Sequence, residues 1–242
     1  MKMKLFRIVA LALAAVSLVS CYNKGDENAY SVYSATVTFR LQEDGSYYLK
    51  QDDSTALIVL NPSLKDCPFK KEMRALVQYL YDEKEQSGNV VEGYKHTYDV
   101  TLATIDTMSM SKPVPYVDGV DMDKEYGADP VGLYIDPNLF PTTMIEDGYL
   151  NVFFAFYYFL YNAPHSFSLI SGVNPEDPYE LEFRHNANGD GEGSGAYQLA
   201  AFSLKDLPDT EGKTVKLTVK WRSLVNNEMT STQFDYCSRK DW

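Results

Sequence analysis

Cysteine is scarce in this chain, with only Cys21, Cys67 and Cys237 among 242 residues. That argues against a disulfide-stapled scaffold or a cysteine-built zinc module, which need several closely spaced thiols. Histidine is equally sparse. His96, His165 and His185 are too far apart in sequence to form a local metal pair. No Gly-x-Ser-x-Gly nucleophile elbow occurs, and Ser168-Leu169-Ile170-Ser171-Gly172 does not replace one. Phosphate-cradling glycine loops, internal repeats and low-complexity tracts are also lacking. Basic residues number 22 against 34 acidic, a net charge of −12. Such a balance repels phosphate backbones and anionic headgroups, so nucleic acid is not an expected partner.

What is present starts at the N-terminus. Lys2, Lys4 and Arg7 precede an apolar run over 8–19 that is too short to span a bilayer, the layout of a signal peptide over 1–20. The run ends in Leu18-Val19-Ser20-Cys21, the pattern that lipoprotein signal peptidase recognises. Lipid on Cys21 is therefore expected, with 21–30 as a polar tether. Loss of the three basic residues takes the net charge from −12 to −15. The cluster Lys24-Gly25-Asp26-Glu27 resembles an export signal to the outer face of the outer membrane, and a periplasm-facing anchor is the alternative. Cys67 and Cys237 read as free thiols, with pairing left open.

The mature chain has room for one large β domain or two small ones. Strand patterns cover 32–40, 47–50, 56–60, 74–81 and 94–107, five short segments with turns between them, which suits a small closed barrel over 31–112. Alternation alone leaves 74–80 open between strand and helix. Pro113, Pro115, Gly119, Gly127 and Pro130 then punctuate an acidic stretch, so 113–130 reads as a linker or long loop. Over 131–242, strand patterns at 131–135, 149–161, 166–170, 179–185, 196–204, 214–221 and 228–236 indicate a β-sandwich. In the sixth of these, Val215, Leu217, Val219 and Trp221 face inward, and Lys216 and Lys220 outward.

Three stretches add specificity. They are Tyr98-Asp99-Val100-Thr101-Leu102-Ala103-Thr104-Ile105 with Ser111-Lys112-Pro113-Val114 beyond it, Asp147-Gly148-Tyr149-Leu150-Asn151-Val152, and the run from Leu181-Glu182-Phe183-Arg184 to Asp190. Together they resemble the NigD-like lipoproteins of the Bacteroidota over nearly the whole mature chain. The resemblance implies an all-β protein, an N-terminal five-stranded OB-type barrel followed by a C-terminal β-sandwich. It carries no catalytic residue or ligand to this sequence. The family's name comes from a bacteriocin-associated gene cluster, which raises an immunity or secretion role as an alternative.

Candidate sites are few. Asn186, Asn188 and Asp190, followed by Gly191, echo the opening of a calcium loop, but the first position is Asn and the twelfth is Tyr197, where a bidentate Glu belongs. A polar hairpin loop is the preferred reading. The acidic residues over 118–129 could supply a glycosidase-like carboxylate pair, although a solvated acidic loop is the plainer account. The aromatic run 153–161 is apolar on both faces and reads as a covered central strand. Tyr22, Tyr30, Tyr33, Tyr47, Tyr48 and Tyr126 are the better candidates for recognition. The expectation is a lipid-anchored envelope protein without catalysis, metal or cofactor. Its partners would be the membrane, through Cys21, and a neutral glycan, peptide or protein ligand. An envelope glycoside hydrolase is the least favoured alternative.

Overall fold

A computed structural model describes residues 31–160, 163–191 and 193–241. The signal peptide, Cys21, the tether, Tyr22 and Tyr30 lie outside the described residues. Five strands form the N-terminal unit: β1 (Ser31–Leu41), β2 (Tyr47–Lys50), β3 (Thr55–Val59), β4 (Met73–Tyr81) and β5 (His96–Thr107). They close in the order β1-β2-β3-β5-β4, with β3 and β5 parallel and the other neighbours antiparallel. That is the order of an OB-type barrel, as expected.

Period-two alternation fills its interior. Ala35, Val37 and Phe39 of β1 meet Ala75 and Val77 of β4, Leu49, Leu57 and Val100. On β4 the opposite face is also covered, since Arg74 and Leu76 are buried too. Burial on both faces is why alternation could not separate strand from helix there.

The second unit is a sandwich. Its elements are β6 (Ser109–Ser111), β7 (Val114–Pro115), helix α1 (Met122–Tyr126), β8 (Gly132–Leu133), β9 (Met144–Glu146), β10 (Tyr149–Tyr158), β11 (Ser166–Ser171), β12 (Glu180–Asn186), β13 (Ser194–Ser203), β14 (Val215–Arg222) and β15 (Met229–Tyr236). One sheet runs β6-β13-β10-β8 with β9 also on β10, and the other runs β15-β14-β12-β11-β7. Leu150, Val152 and Phe154 of β10 face Leu181 and Phe183 of β12 and Leu217, Val219 and Trp221 of β14 across one core. Each such side chain contributes roughly 1.5–3 kcal/mol on burial.

The stretch 113–130 is packed against the sandwich. Strand β7 pairs in parallel with β11. Gly127, at φ +79°, lies so close to β12 that a Cβ there would come within 2.3 Å of the His185 carbonyl oxygen. The barrel strands end at Thr107, and β6 already pairs in parallel with β13. Pro113 and Pro115 cut these strands to two or three residues, too short for periodicity to register.

The two units meet through buried charge. Asp147 and Gly148, both at positive φ, form the two-residue turn between β9 and β10; Asp-Gly suits such hairpins because both positions need φ > 0. This turn carries the Asp147 side chain, fully buried, against the barrel wall. Thr38 donates its hydroxyl to Asp147 at 2.5 Å, and Arg40 Nη2 and Lys50 Nζ reach the same carboxylate at 2.5 and 2.9 Å. Arg239, from beyond β15, grips Glu72 with two bonds of 2.8 Å. Arg74, wholly buried, reaches Thr38 at 2.7 Å, Glu146 at 2.8 Å and Asn151 at 3.1 Å. Burial pushes the Asp147 carboxyl upward, but the Thr38 hydroxyl, Arg40 and Arg239 more than reverse this and hold it below the usual carboxylate range. At Glu146 burial wins over Arg74, and its carboxyl lies above that range.

Candidate functional site

The joint with the sandwich occupies the end of the barrel at Thr38, Arg40 and Arg74. About 20 Å further along β1, at about 3.3 Å per residue, the opposite mouth is ringed by tyrosines. Tyr33 comes from β1, Tyr79 and Tyr81 from β4, and Tyr98 from β5. All four share the inward alternation of Val37, Val77 and Val100, so their rings close over the end of the core. Tyr33 stacks on Tyr79 at 5.6 Å and meets Tyr81 edge-on at 6.3 Å, while Tyr81 meets Tyr98 edge-on at 5.6 Å. His96 stacks on Tyr98 at 6.2 Å, and the Tyr79 hydroxyl donates to Gln51 Oε1 at 3.3 Å. The four tyrosines line a cavity of about 260 Å³. Tyr33 and Tyr98 remain 46% and 37% exposed, so ring surface is open to a ligand. Burial, with Tyr33 and Tyr98 nearby, pushes the Tyr79 phenol up.

Of the described tyrosines singled out in the sequence (Tyr33, Tyr47, Tyr48 and Tyr126), Tyr33 alone joins this mouth. Tyr47 packs on Phe39 and donates to the Leu64 carbonyl at 2.6 Å. Tyr48 is 3.3 Å from the Tyr94 hydroxyl, and Tyr126 ends α1, half-buried.

A second cleft, about 370 Å³, lies at the open edge of the sandwich among Phe156, Tyr158, Phe167 and His165. Here the structure joins histidines that sequence spacing kept apart. His165 Nδ1 and His185 Nε2 share a bond of 2.8 Å, and His165 Nε2 meets Asp190 Oδ2 at 3.1 Å. Phe167 stacks on His185 at 4.7 Å. Asp190 also accepts the backbone N–H groups of Phe159 and Leu160, so it staples the end of β10. Asn186 caps the N–H of Asn188, and Asn188 donates to the Pro164 carbonyl. The three oxygen-bearing side chains of the calcium-like stretch thus bond to backbone groups, and Asp190 to the His165 ring as well. Tyr197 stacks on Phe153.

Burial pushes His185 down to about 4, and neighbouring His165 adds to this against the pull of Asp129. The folded ring stays neutral while the unfolded ring takes a proton below about 6.5, so this contribution is complete above that value and is lost as pH falls towards 4. Urea melts at pH 7.5 and 5 are expected to differ by on the order of 2 kcal/mol from this ring alone. His185→Phe, which preserves the stack, should flatten that slope; an unchanged slope would place the acid sensitivity elsewhere.

Three carboxylates of the acidic stretch are likewise bonded within the structure, while Asp118 and Glu125 are exposed. Asp121 caps α1, Asp123 pairs with Arg184 at 2.7 Å, and Asp129 accepts the Ala187 N–H at 2.7 Å. The aromatic strand is core on one face, with Phe154 and Phe156 buried, and half-buried on the other, where Tyr134 and Tyr197 cover Phe153. Phe159 and Leu160, past the strand end, are 68% and 60% exposed, so coverage stops there. Both free cysteines sit in separate units: Cys67 packs on the barrel core and Cys237 beside Thr210. Among the described residues no three His, Cys, Asp or Glu side chains converge as metal ligands, and no helix is long and apolar enough to cross a membrane.

The NigD-like C-terminal beta sandwich domain matches residues 112–236, just over half of the chain. Among solved structures, a Parabacteroides distasonis protein described as toxin-related is 28% identical, with a TM-score of 0.67 over 86% of this chain and 94% of its own. A NigD-like immunity protein from Bacteroides caccae is 18% identical, with a TM-score of 0.60 over 87% of this chain and 99% of its own. A Bacteroides fragilis protein described as a lipoprotein is 12% identical, with a TM-score of 0.58 over 87% and 100%. The last two likenesses speak for the fold alone. No curated protein matches the chain.

Proposed function

The chain belongs to the NigD-like family, and from that membership and the barrel geometry we propose a non-catalytic binding protein of the cell envelope, anchored by lipid on Cys21, that takes a neutral glycan into its tyrosine mouth. The observation that carries this reading is the convergence of Tyr33, Tyr79, Tyr81 and Tyr98 from three strands around an open, uncharged cavity. Sugar rings offer aliphatic C–H faces to aromatic rings and hydroxyls to groups such as Gln51. Oligosaccharide binding is a recurrent use of OB-type barrels, a fold-level analogy that supports the ligand class. The acidic charge disfavours anionic ligands. Ser31, the first residue of β1, lies at this same end of the barrel. A tether over 21–30, at most about 35 Å when extended, would hold the mouth close to a membrane surface.

The absence of catalysis is part of the proposal. The Asp190–His165–His185 chain is the most enzyme-like grouping among the described residues. Its hydrogen bonds run between the three side chains and to backbone N–H groups, with no serine, threonine or cysteine nucleophile attached.

The neighbour described as an immunity protein supplies a second reading, capture of a bacteriocin. A glycan array probed with the soluble 22–242 chain separates the two. The expected result is retention of neutral glycans, weakened roughly tenfold by Tyr98→Ala, the worth of one lost aromatic contact. An array blank for neutral glycans would leave the immunity reading in the lead.

A further inference from the structure

Around the outer wall of the barrel from the mouth lies a pocket of about 300 Å³ lined by Leu60, Leu80, Asp82, Glu85, Asp99 and Thr101. Three of the six are carboxylates, and among the described residues no lysine or arginine lines it. An acidic cluster alone is unremarkable in so acidic a protein. The deciding observation is Asp99. It is 4% exposed, and its Oδ1 is buried without a hydrogen-bond partner. Leaving a carboxylate oxygen unpaired in the interior is costly unless a ligand or water meets it.

Its setting is built. The Ser87 N–H donates to Oδ2 of Asp99. Gln86 clamps the Asp99 main chain from both sides, accepting its N–H at 2.9 Å and donating to its carbonyl at 3.0 Å. Asp82 is held by the Lys84 N–H at 2.8 Å, and Glu85 stands exposed on the rim. Leu60, Leu80 and Thr101 give the pocket aliphatic walls.

We propose that this pocket receives the aliphatic ammonium group of a lysine side chain presented by a partner protein. The charge of the lining and the unpaired Asp99 oxygen buried behind the pocket wall call for a cationic donor. A divalent metal is disfavoured because hard cations want several oxygens at once, and the three carboxylates that line the pocket are not placed to hold one ion together. A guanidinium is disfavoured because its fork pairs best with both oxygens of a carboxylate, and Ser87 already holds Oδ2. An ammonium needs one strong acceptor, and its unbranched stem suits the leucine walls. Glu85 and Asp82 would add long-range attraction at the entrance.

This inference is independent of the tyrosine mouth, since the residues differ and the ligand carries charge. It is tested on the full mature chain in detergent by calorimetric titration with Nα-acetyl-lysine-methylamide, its arginine counterpart and glucosamine. The lysine compound is expected to bind saturably, at least tenfold tighter than the other two. Asp99→Asn should weaken it tenfold or more, while Glu85→Gln, on the exposed rim, should weaken it two- to threefold without endangering the fold. Failure of the lysine compound to saturate, or equal binding of the arginine compound, would overturn the proposal. So would binding that neither Asp99→Asn nor Glu85→Gln alters. Tighter binding of glucosamine would overturn the lysine assignment in favour of an amino sugar.

Discussion

Asp147→Ala is expected to lower stability by about 3–5 kcal/mol, because it leaves cations buried without their shared counter-ion. Arg40 and Arg239 side chains are 9% and 5% exposed, Lys50 is 11% exposed, and all three approach the Asp147 carboxylate. Thr38 loses the acceptor of its hydroxyl as well, while Arg74 still donates to its Oγ1. For a chain of this size the loss corresponds to a fall of roughly 10 °C in melting temperature. Asp241→Ala is the matched control. Its carboxylate also touches Arg40 and Arg239 but is 65% exposed, so the cost should stay near 1 kcal/mol or less. The effect has a pH signature too. The Asp147 carboxyl sits below its ordinary range when folded, so its contribution is present above about pH 4 and is lost as pH falls through the depressed value. Urea denaturation of both variants at neutral pH measures the difference. If Asp147→Ala costs no more than Asp241→Ala, the barrel and the sandwich are not held together by this cluster.

Cys21→Ser is expected to abolish lipid attachment altogether and to leave the precursor uncut, because lipoprotein signal peptidase acts on the acylated cysteine. The proposed attachment through a diacylglyceryl group and an N-acyl chain would rest on about 0.8 kcal/mol per buried CH₂, and one chain alone is marginal. The change is all-or-none and independent of the fold, since Cys21 precedes β1 by ten residues. Labelled palmitate and the mass of the purified chain report it. Cys67→Ser, in a cysteine packed on the barrel core, should leave both unchanged. A Cys21→Ser chain that still carries label and matures normally would remove the anchor from the account.

The architecture was legible wherever one face of a strand is buried and the other is not. On β14, Leu217, Val219 and Trp221 point into the core while Lys216 remains exposed, and the sequence alternates accordingly. It was less legible where both faces are covered, as at Arg74 and Ala75 on β4, or where strands shrink to two or three residues, as in β6, β7 and β9. Expecting a linker over 113–130 was reasonable from its prolines and glycines. What composition could not show is that Gly127 is needed for close approach to β12 rather than for freedom.

The sites were less readable because they are assembled from distant strands. Tyr33, Tyr79, Tyr81 and Tyr98 meet only once the barrel closes and their alternation places all four at one end. His165 and His185 are twenty residues apart and become neighbours because β11 and β12 pair with Phe167 opposite His185. Asp-Gly at 147–148, between two apolar runs, marks a tight hairpin, and it is this turn that delivers the central carboxylate of the joint.

The central claim, that the tyrosine mouth is the binding site, is tested most directly by NMR of the mature chain labelled at the tyrosine ring carbons. The sample is titrated with the neutral glycan that the array retains best. The resonances of Tyr33, Tyr79, Tyr81 and Tyr98 are expected to shift together and saturate at one affinity, while those of Tyr134, Tyr158 and Tyr197 on the sandwich stay fixed. Shifts confined to the sandwich tyrosines, with the four at the mouth unmoved, would contradict it.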